Sequence, residues 1–303
     1  MALLNSILYD TVYHSAPIIL CVIGGIFAYK ANVLNIALEG MMLNGAFVSV
    51  LVMYFTGNIF LALSSAILTT LIWGLIFSYF GVSGSGNVIV IGLGINFIVP
   101  AIAKFTLNMM GVSNISLQNI SVSDFKIHIP IIDSIDIVGS ILSGHTFITY
   151  LAFIGIIIMS VIMYQTKFGI YVRVVGENEE AAISLGLKTK LYKYLAILLG
   201  ALCAGLAGIN LSLERMCMYT NDMTAGRGFI AIAAIYCGGG KPLESSLYAI
   251  LFGISRALAV NLSINAGPMA GIFDTIPYII MVSVLATVSY MKFKNVRVRG
   301  YTF

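Results

Sequence analysis

A charged stretch leads directly into an apolar one, and together they decide the fold: residues 177–215 read ENEEAAISLGLKTKLYKYLAILLGALCAGLAGINLSLER. The first part has the composition of a helix exposed to water. The second part is apolar and rich in small residues over about 20 positions, the length that crosses a bilayer. Further apolar runs lie on both sides. A charged, structured loop held at a membrane surface favours contact with a soluble partner over catalysis by this chain.

The composition points to lipid as the solvent. Of 303 residues, 59% are hydrophobic and only 9% are charged, whereas a soluble domain carries about 25% charged residues. The mean hydropathy of +1.00 agrees. Only helices and closed barrels satisfy their backbone in lipid, and the apolar runs do not alternate as barrel strands do. We therefore expect an all-α polytopic membrane protein, with a single transmembrane domain over residues 1–303.

About nine transmembrane helices are expected, with eight to ten allowed. The first and seventh apolar segments are short for a bilayer of about 30 Å, and short, glycine-interrupted segments tend to break and line cavities. The segments are 16–29, 34–55, 59–80, 87–107, 146–165, 194–213, 225–239, 243–264 and 271–291.

Lysine and arginine in the loops predict the orientation. Five basic residues fall in 166–193 and four follow residue 291, so both segments should be cytoplasmic. The loop 108–144 has one lysine together with Asp124, Asp133 and Asp136, so it should be external. Nine spans then give an external N-terminus and a cytoplasmic C-terminus.

Motifs for chemistry by the chain itself are absent from the sequence. The run Gly238-Gly239-Gly240-Lys241 is followed by Pro242 and lacks the first glycine of a Walker loop, so the chain should not bind ATP alone. The cysteines and histidines have no metal-site spacing, so no metal is expected. We expect neither an enzyme nor a nucleic-acid-binding protein.

The loop at 177–193 should contain a short rigid helix. Glutamates precede Ala181 and Ala182, and lysines follow Gly186. Acids at the N-terminus of a helix and bases past its C-terminus complement its dipole. Gly186 suits a left-handed cap, which predicts a stable two-turn helix. The alternative is an ordinary solvated loop.

Three sequence blocks carry a family resemblance: EAAISLG at 180–186, NIALEGMML at 35–43 and TAGRGFIAIAA at 224–234. The first resembles the Glu-Ala-Ala loop of ATP-binding-cassette (ABC) importer permeases. The other two are similar to signatures of the simple-sugar and nucleoside branch. Within that branch, the compact length and a signature so near the N-terminus resemble the shorter of the two permeases that pair in nucleoside importers. The blocks occur in family order and the similarity covers nearly the whole chain. Val88 departs from the pattern, because family members often carry glutamate there.

The resemblance implies a multi-pass permease subunit in the bacterial cell membrane. Its implied partners are an ABC ATPase that binds ATP and magnesium, an external substrate-binding lipoprotein and a second permease. The resemblance leaves both a heterodimer and a homodimer open. The residues implied to couple to the ATPase are Glu179, Glu180, Ala181, Ala182 and Gly186.

Polar and aromatic residues inside the apolar segments are candidates for a substrate pathway: Asn35, Glu39, Asn96, Phe97 and Phe229. Asn35 and Glu39 are at i and i+4 on one helical face and could hydrogen-bond a sugar hydroxyl. Alternatively, Glu39 caps a broken helix or ties two spans together. Buried Asn96 should need partners within the bundle.

Three other functions remain open: a ribose- or galactose-type permease, an ion-coupled secondary transporter and a membrane scaffold.

Overall fold

In the computed structural model, apolar helices run between two ends of a bundle. The structure describes residues 2–118, 120–128, 139, 141–263 and 270–298. The helices are α1 (Ala2–Lys30), α2 (Leu38–Thr56), α3 (Ile59–Ser78), α4 (Val88–Met109), α5 (Phe147–Gln165), α6 (Lys167–Glu177), α7 (Glu179–Ser184), α8 (Thr189–Ile209), α9 (Arg227–Cys237), α10 (Pro242–Ser263), α11 (Ala270–Phe273) and α12 (Ile276–Val298). Short π-helical turns extend α3 through Ser83 and α8 through Glu214.

Eight helices in the described ranges are long and apolar enough to cross a bilayer. This number falls within the predicted eight to ten, and the predicted all-α polytopic fold is confirmed. The eight spans correspond to the predicted segments other than 225–239.

The prediction that the first segment is short is wrong. The span runs over Asn5–Lys30, because polar residues near its start find partners within the protein. The Asn261 side-chain amide donates to Asp10 at 2.7 Å, and the Tyr9 hydroxyl donates to the Gly144 carbonyl at 2.9 Å. These partners allow polar residues to extend the helix.

The second short segment is indeed short. Helix α9 has 11 residues and is therefore about 16 Å long, about half of a bilayer core. Its C-terminal end lies beside the end of α1, because Lys30 Nζ donates to the Gly239 carbonyl at 2.9 Å. The N-terminus of α9 therefore lies inside the bundle.

Two small antiparallel sheets lie at the end of the bundle opposite the one where α1 and α9 end. Strand β1 (Asn114–Ser116) pairs with β4 (Met218–Thr220) in the register Ile115↔Tyr219, and β2 (Lys126–Ile127) pairs with β3 (His145–Thr146). The chain thus passes from the β1–β4 end to the other end between residues 215 and 240, partly without helix. Much of the predicted external loop 108–144 forms this end, although Asp133 and Asp136 lie outside the described residues.

The other end carries α7, and we call it the α7 end. It contains α6, the turn after α9 and the end of α1, and Ser83 hydrogen-bonds the Tyr194 hydroxyl there at 2.7 Å. Helix α12 starts near the β1–β4 end and runs back towards the α7 end.

Helices α1, α2 and α8 form the core of the bundle, whereas α12 lies at its periphery. Helix α1 packs mainly against α10 and α8, and α8 packs against α2 and α3. Close approach depends on glycine: a Cβ on Gly208 would overlap the Met42 carbonyl, and one on Gly45 would overlap the backbone of Gly205. Small residues at such crossings let helices associate in lipid.

Candidate coupling site and intramembrane junction

Helix α7 is a short helix with defined caps at both ends. Asn178 is extended at its N-terminus, and its side-chain oxygen accepts the N–H of Ala181 at 3.0 Å. Gly186 has φ +77°, and the N–H of Leu187 donates to the Ala182 carbonyl at 3.0 Å. This is the predicted left-handed glycine cap. The helix has six residues, which is fewer than the two turns expected.

An ion pair fixes α7 to the first turns of α8. Lys193 Nζ lies 2.6 Å from Glu179 Oε2, and the Lys193 side chain is only 14% exposed. The hydrogen bond from Lys193 lowers the pKa of the Glu179 carboxyl. The ion pair therefore connects α7 directly to a span.

Two exposed apolar side chains on α7 and its cap were not recognised from the sequence. Ile183 is 57% exposed and Leu185 is 74% exposed, whereas Ala182 between α7 and the bundle is fully buried. Large apolar residues on a rigid helix in water suit the cleft of another protein. Their position in the sequence, between the alanine pair and Gly186, could have indicated that they belong to the same exposed helix.

The second site is a junction inside the bundle, where α2 and α9 begin. Glu39, in the first turn of α2, accepts two backbone hydrogen bonds from the N-terminus of α9: Oε1 from Gly226 N–H at 2.9 Å and Oε2 from Gly228 N–H at 2.6 Å. Helix N-termini have unsatisfied N–H groups and partial positive charge. Glu39 therefore caps a broken helix from a distant part of the chain, as one of the two interpretations predicted.

Glycine at position 228 makes this contact possible. A Cβ there would lie 2.6 Å from the Glu39 Cα, which is too close for any other residue without movement. The buried Arg227 folds back, and its Nη1 donates to the carbonyls of Met223 and Thr224 at 2.9 Å each. Non-helical backbone within the membrane is tolerated where protein satisfies it in this way.

Asn96 joins α4 to the same junction. Its Oδ1 accepts the Gly40 N–H at 2.8 Å, and its Nδ2 donates to the Ile36 carbonyl at 2.9 Å. The prediction that this amide needs partners within the bundle is confirmed. We call Asn35–Gly40, Asn96 and Gly226–Gly228 the junction.

The other proposed pathway residues are placed differently from the expectation. Asn35 precedes α2, because its Oδ1 accepts the Ala37 N–H at 3.1 Å and the helix begins at Leu38. The prediction that Asn35 and Glu39 share a helical face is therefore wrong. Phe97 is 73% exposed and Phe229 is 41% exposed, so these two rings lie at the surface of the chain rather than within the junction.

The described residues contain no cluster of three or more potential metal ligands. The junction groups instead bond one another, with both Glu39 oxygens engaged.

Comparison with known proteins identifies the family. The family model described as "Branched-chain amino acid transport system / permease component" matches residues 7–285. The chain belongs to this family. It is thus a multi-pass permease component of an ABC transporter in the cell membrane and is not itself an enzyme. Such permeases work with ATPase and substrate-binding partners.

Several relatives align over nearly the whole chain. The guanosine ABC transporter permease protein NupQ of Bacillus subtilis is 28% identical, over 94% of this chain and 91% of its own. The nucleoside ABC transporter permease protein NupC of Lactococcus lactis is 29% identical, over 93% and 92%. A second guanosine permease of Bacillus subtilis, NupP, is 22% identical, over 92% of this chain and 80% of its own. No solved structure matches the chain.

Proposed function

We propose that this permease component imports nucleosides as one of two different permease subunits, driven by ATP hydrolysis in a partner ATPase. The cargo class rests on the two relatives named as guanosine and nucleoside permeases. Bacillus subtilis has two guanosine permeases, and this chain is more similar to one of them. That difference favours a heterodimer in which this chain takes the place of NupQ.

The α7 end faces the cytoplasm in this proposal. The loop 166–193 contains five basic residues, and cytoplasmic loops carry such an excess. The C-terminus then lies inside. The β1–β4 end lies outside, where an external substrate-binding lipoprotein would deliver cargo.

The observation that carries the proposal is the capped, projecting helix α7. Its surface residues Ile183 and Leu185 are exposed and can enter a cleft of the ATPase, while Glu179 joins α7 to α8. The predicted coupling residues Glu180, Ala181, Ala182 and Gly186 form the body and cap of this helix. A motor whose two nucleotide states bind α7 differently would shift the permease between two conformations.

The cargo pathway would run beside the junction. Phe97 and Phe229 offer exposed rings that can stack on a flat nucleobase, and they would face either cargo or the second permease. Asn35, Glu39 and Asn96 would act by fixing the starts of α2 and α9, since their side chains bind the protein itself.

Uptake of radiolabelled uridine tests this function in cells that express the whole transporter. We expect Glu180→Lys and Gly186→Pro to abolish uptake while the chain still inserts into the membrane. Glu244→Lys is the matched control, because it reverses an exposed acid at the same end but outside α7. Normal uptake by both α7 variants would refute the coupling role.

Two further measurements address the alternatives. Excess guanosine should compete with uridine and excess ribose should not; the reverse result would indicate a monosaccharide permease. Uptake that collapses with an uncoupler while ATP remains would indicate an ion-coupled transporter, and a scaffold would give no uptake.

A further inference from the structure

A cationic cavity lies at the α7 end, apart from both sites described above. It has a volume of about 510 Å³ and is lined by side chains from four parts of the chain, and it falls within the size range of small-molecule sites, about 300–1,000 Å³. The side chains that give it its character are Tyr29, Lys30, Tyr164, Arg173, Tyr236 and Lys241.

The charge of the cavity favours an anion. Three cationic side chains line it against one carboxylate, that of Glu177. Lys241 also pairs with Glu244 outside the lining, at 2.6 Å. Lys30 uses one hydrogen bond on the Gly239 carbonyl. Arg173 lines the cavity, and its buried Nε has no hydrogen-bond partner among the described residues.

The cavity lies at the level where spans end. Lys30 is the last residue of α1, and Tyr164 is the penultimate residue of α5. Tyr164 is 42% exposed and Tyr236 is 40% exposed, and the Arg173 guanidinium lies over the Tyr164 ring at 5.1 Å. Tyrosine and basic residues together are typical of the membrane–water boundary.

The cavity walls pack directly against one another. Tyr29 and Tyr236 pack edge to face with centroids 5.2 Å apart. A Cβ on Gly176 would overlap the Lys30 carbonyl, so α6 lies directly against the end of α1. A preformed site loses little conformational freedom when it binds.

We propose that this cavity binds a phosphate-bearing anion, and specifically the headgroup of an anionic membrane lipid. Basic pockets between membrane helices bind such headgroups, and this pocket is lined by Lys30 and Tyr164 at the ends of two spans. The bound phosphate connects α6, which leads into α7, to Lys30 at the end of α1 and to Lys241 in the α9–α10 turn. It thereby stabilises one relative position of α6 and the α9–α10 turn.

Native mass spectrometry of the intact chain in neutral detergent tests the proposal, with dioleoylphosphatidylglycerol as the probe and dioleoylphosphatidylcholine as the comparison. We expect preferential retention of phosphatidylglycerol. Loss of one basic residue near a membrane surface corresponds to about a fivefold weaker affinity, and Arg173→Gln should show this loss. Lys241→Gln, at an exposed position, provides a second variant should the first fail to fold.

Lys167→Gln is the matched control, because it removes the same charge from the same helix but outside the cavity. It should leave lipid affinity unchanged within about twofold. Calorimetric titration with inorganic phosphate separates the two sources of the anion. Binding of phosphatidylglycerol alone supports a lipid headgroup, and Arg173-dependent binding of inorganic phosphate supports a soluble phosphate compound. Equal losses in Arg173→Gln and Lys167→Gln, or no loss in either cavity variant, would overturn the proposal.

Discussion

The strongest test of the junction is Glu39→Gln, which keeps the size of the side chain but removes its charge. Each Glu39 oxygen accepts one N–H from the start of α9, at 2.9 and 2.6 Å. Glutamine has one acceptor oxygen and presents an N–H₂ group to the other backbone N–H. One hydrogen bond is lost, and the other no longer involves a charge.

The magnitude follows from these two bonds. A hydrogen bond to a charged group contributes about 1.5–3 kcal/mol, and a charge near a helix N-terminus contributes about 0.3–1 kcal/mol. We therefore expect Glu39→Gln to cost about 2–3 kcal/mol, since one neutral bond remains. If amide exchange in α9 proceeds by local opening, this is about a 30- to 150-fold acceleration.

Hydrogen–deuterium exchange of peptides covering residues 224–234, in detergent, measures this effect. Thermal unfolding of the same samples should shift downward by about 5 °C. Glu244→Gln is the control, because it makes the same chemical change at an exposed position on α10 and should alter neither measurement. Equal exchange in the two variants would show that Glu39 does not cap α9.

The remaining predictions concern helix contacts and the base of α7. Gly228→Ala should reduce thermal stability and the yield of folded protein, because its Cβ would meet the backbone of Glu39; Gly94→Ala, where a Cβ meets nothing within 4 Å, should leave both unchanged. The Glu179–Lys193 ion pair should protect the α7 amides above the unfolded pKa of Glu179 and lose this effect as pH falls through the lowered folded pKa. Glu179→Gln should remove that pH dependence from amide exchange, and a dependence that persisted would assign it to another group.

Most of the spans could be predicted from the sequence because lipid imposes a simple length and composition on each helix. The start of α1 could not be predicted this way. Asp10 and Tyr9 interrupt the apolar run, and only tertiary partners more than 130 positions away, Gly144 and Asn261, show that the helix continues.

The candidate sites likewise contain local features that the sequence predicts and long-range contacts that only the structure shows. Gly186 and the acids of α7 act locally, so their spacing indicates the caps of the helix. Glu39 was recognised as a buried acid, but its partners are 187 and 189 positions away. Whether it bound a ligand or the protein could be decided only in three dimensions. Asn35 was misplaced because its side chain accepts the Ala37 N–H, and α2 begins only at Leu38.

The short length of α9 also has a consequence for biogenesis. Eleven residues do not form a membrane-spanning helix by themselves, and the groups that satisfy the start of α9 belong to a helix made much earlier in synthesis. The segment should therefore enter the membrane by packing against α2 and Glu39 rather than through its own hydrophobicity.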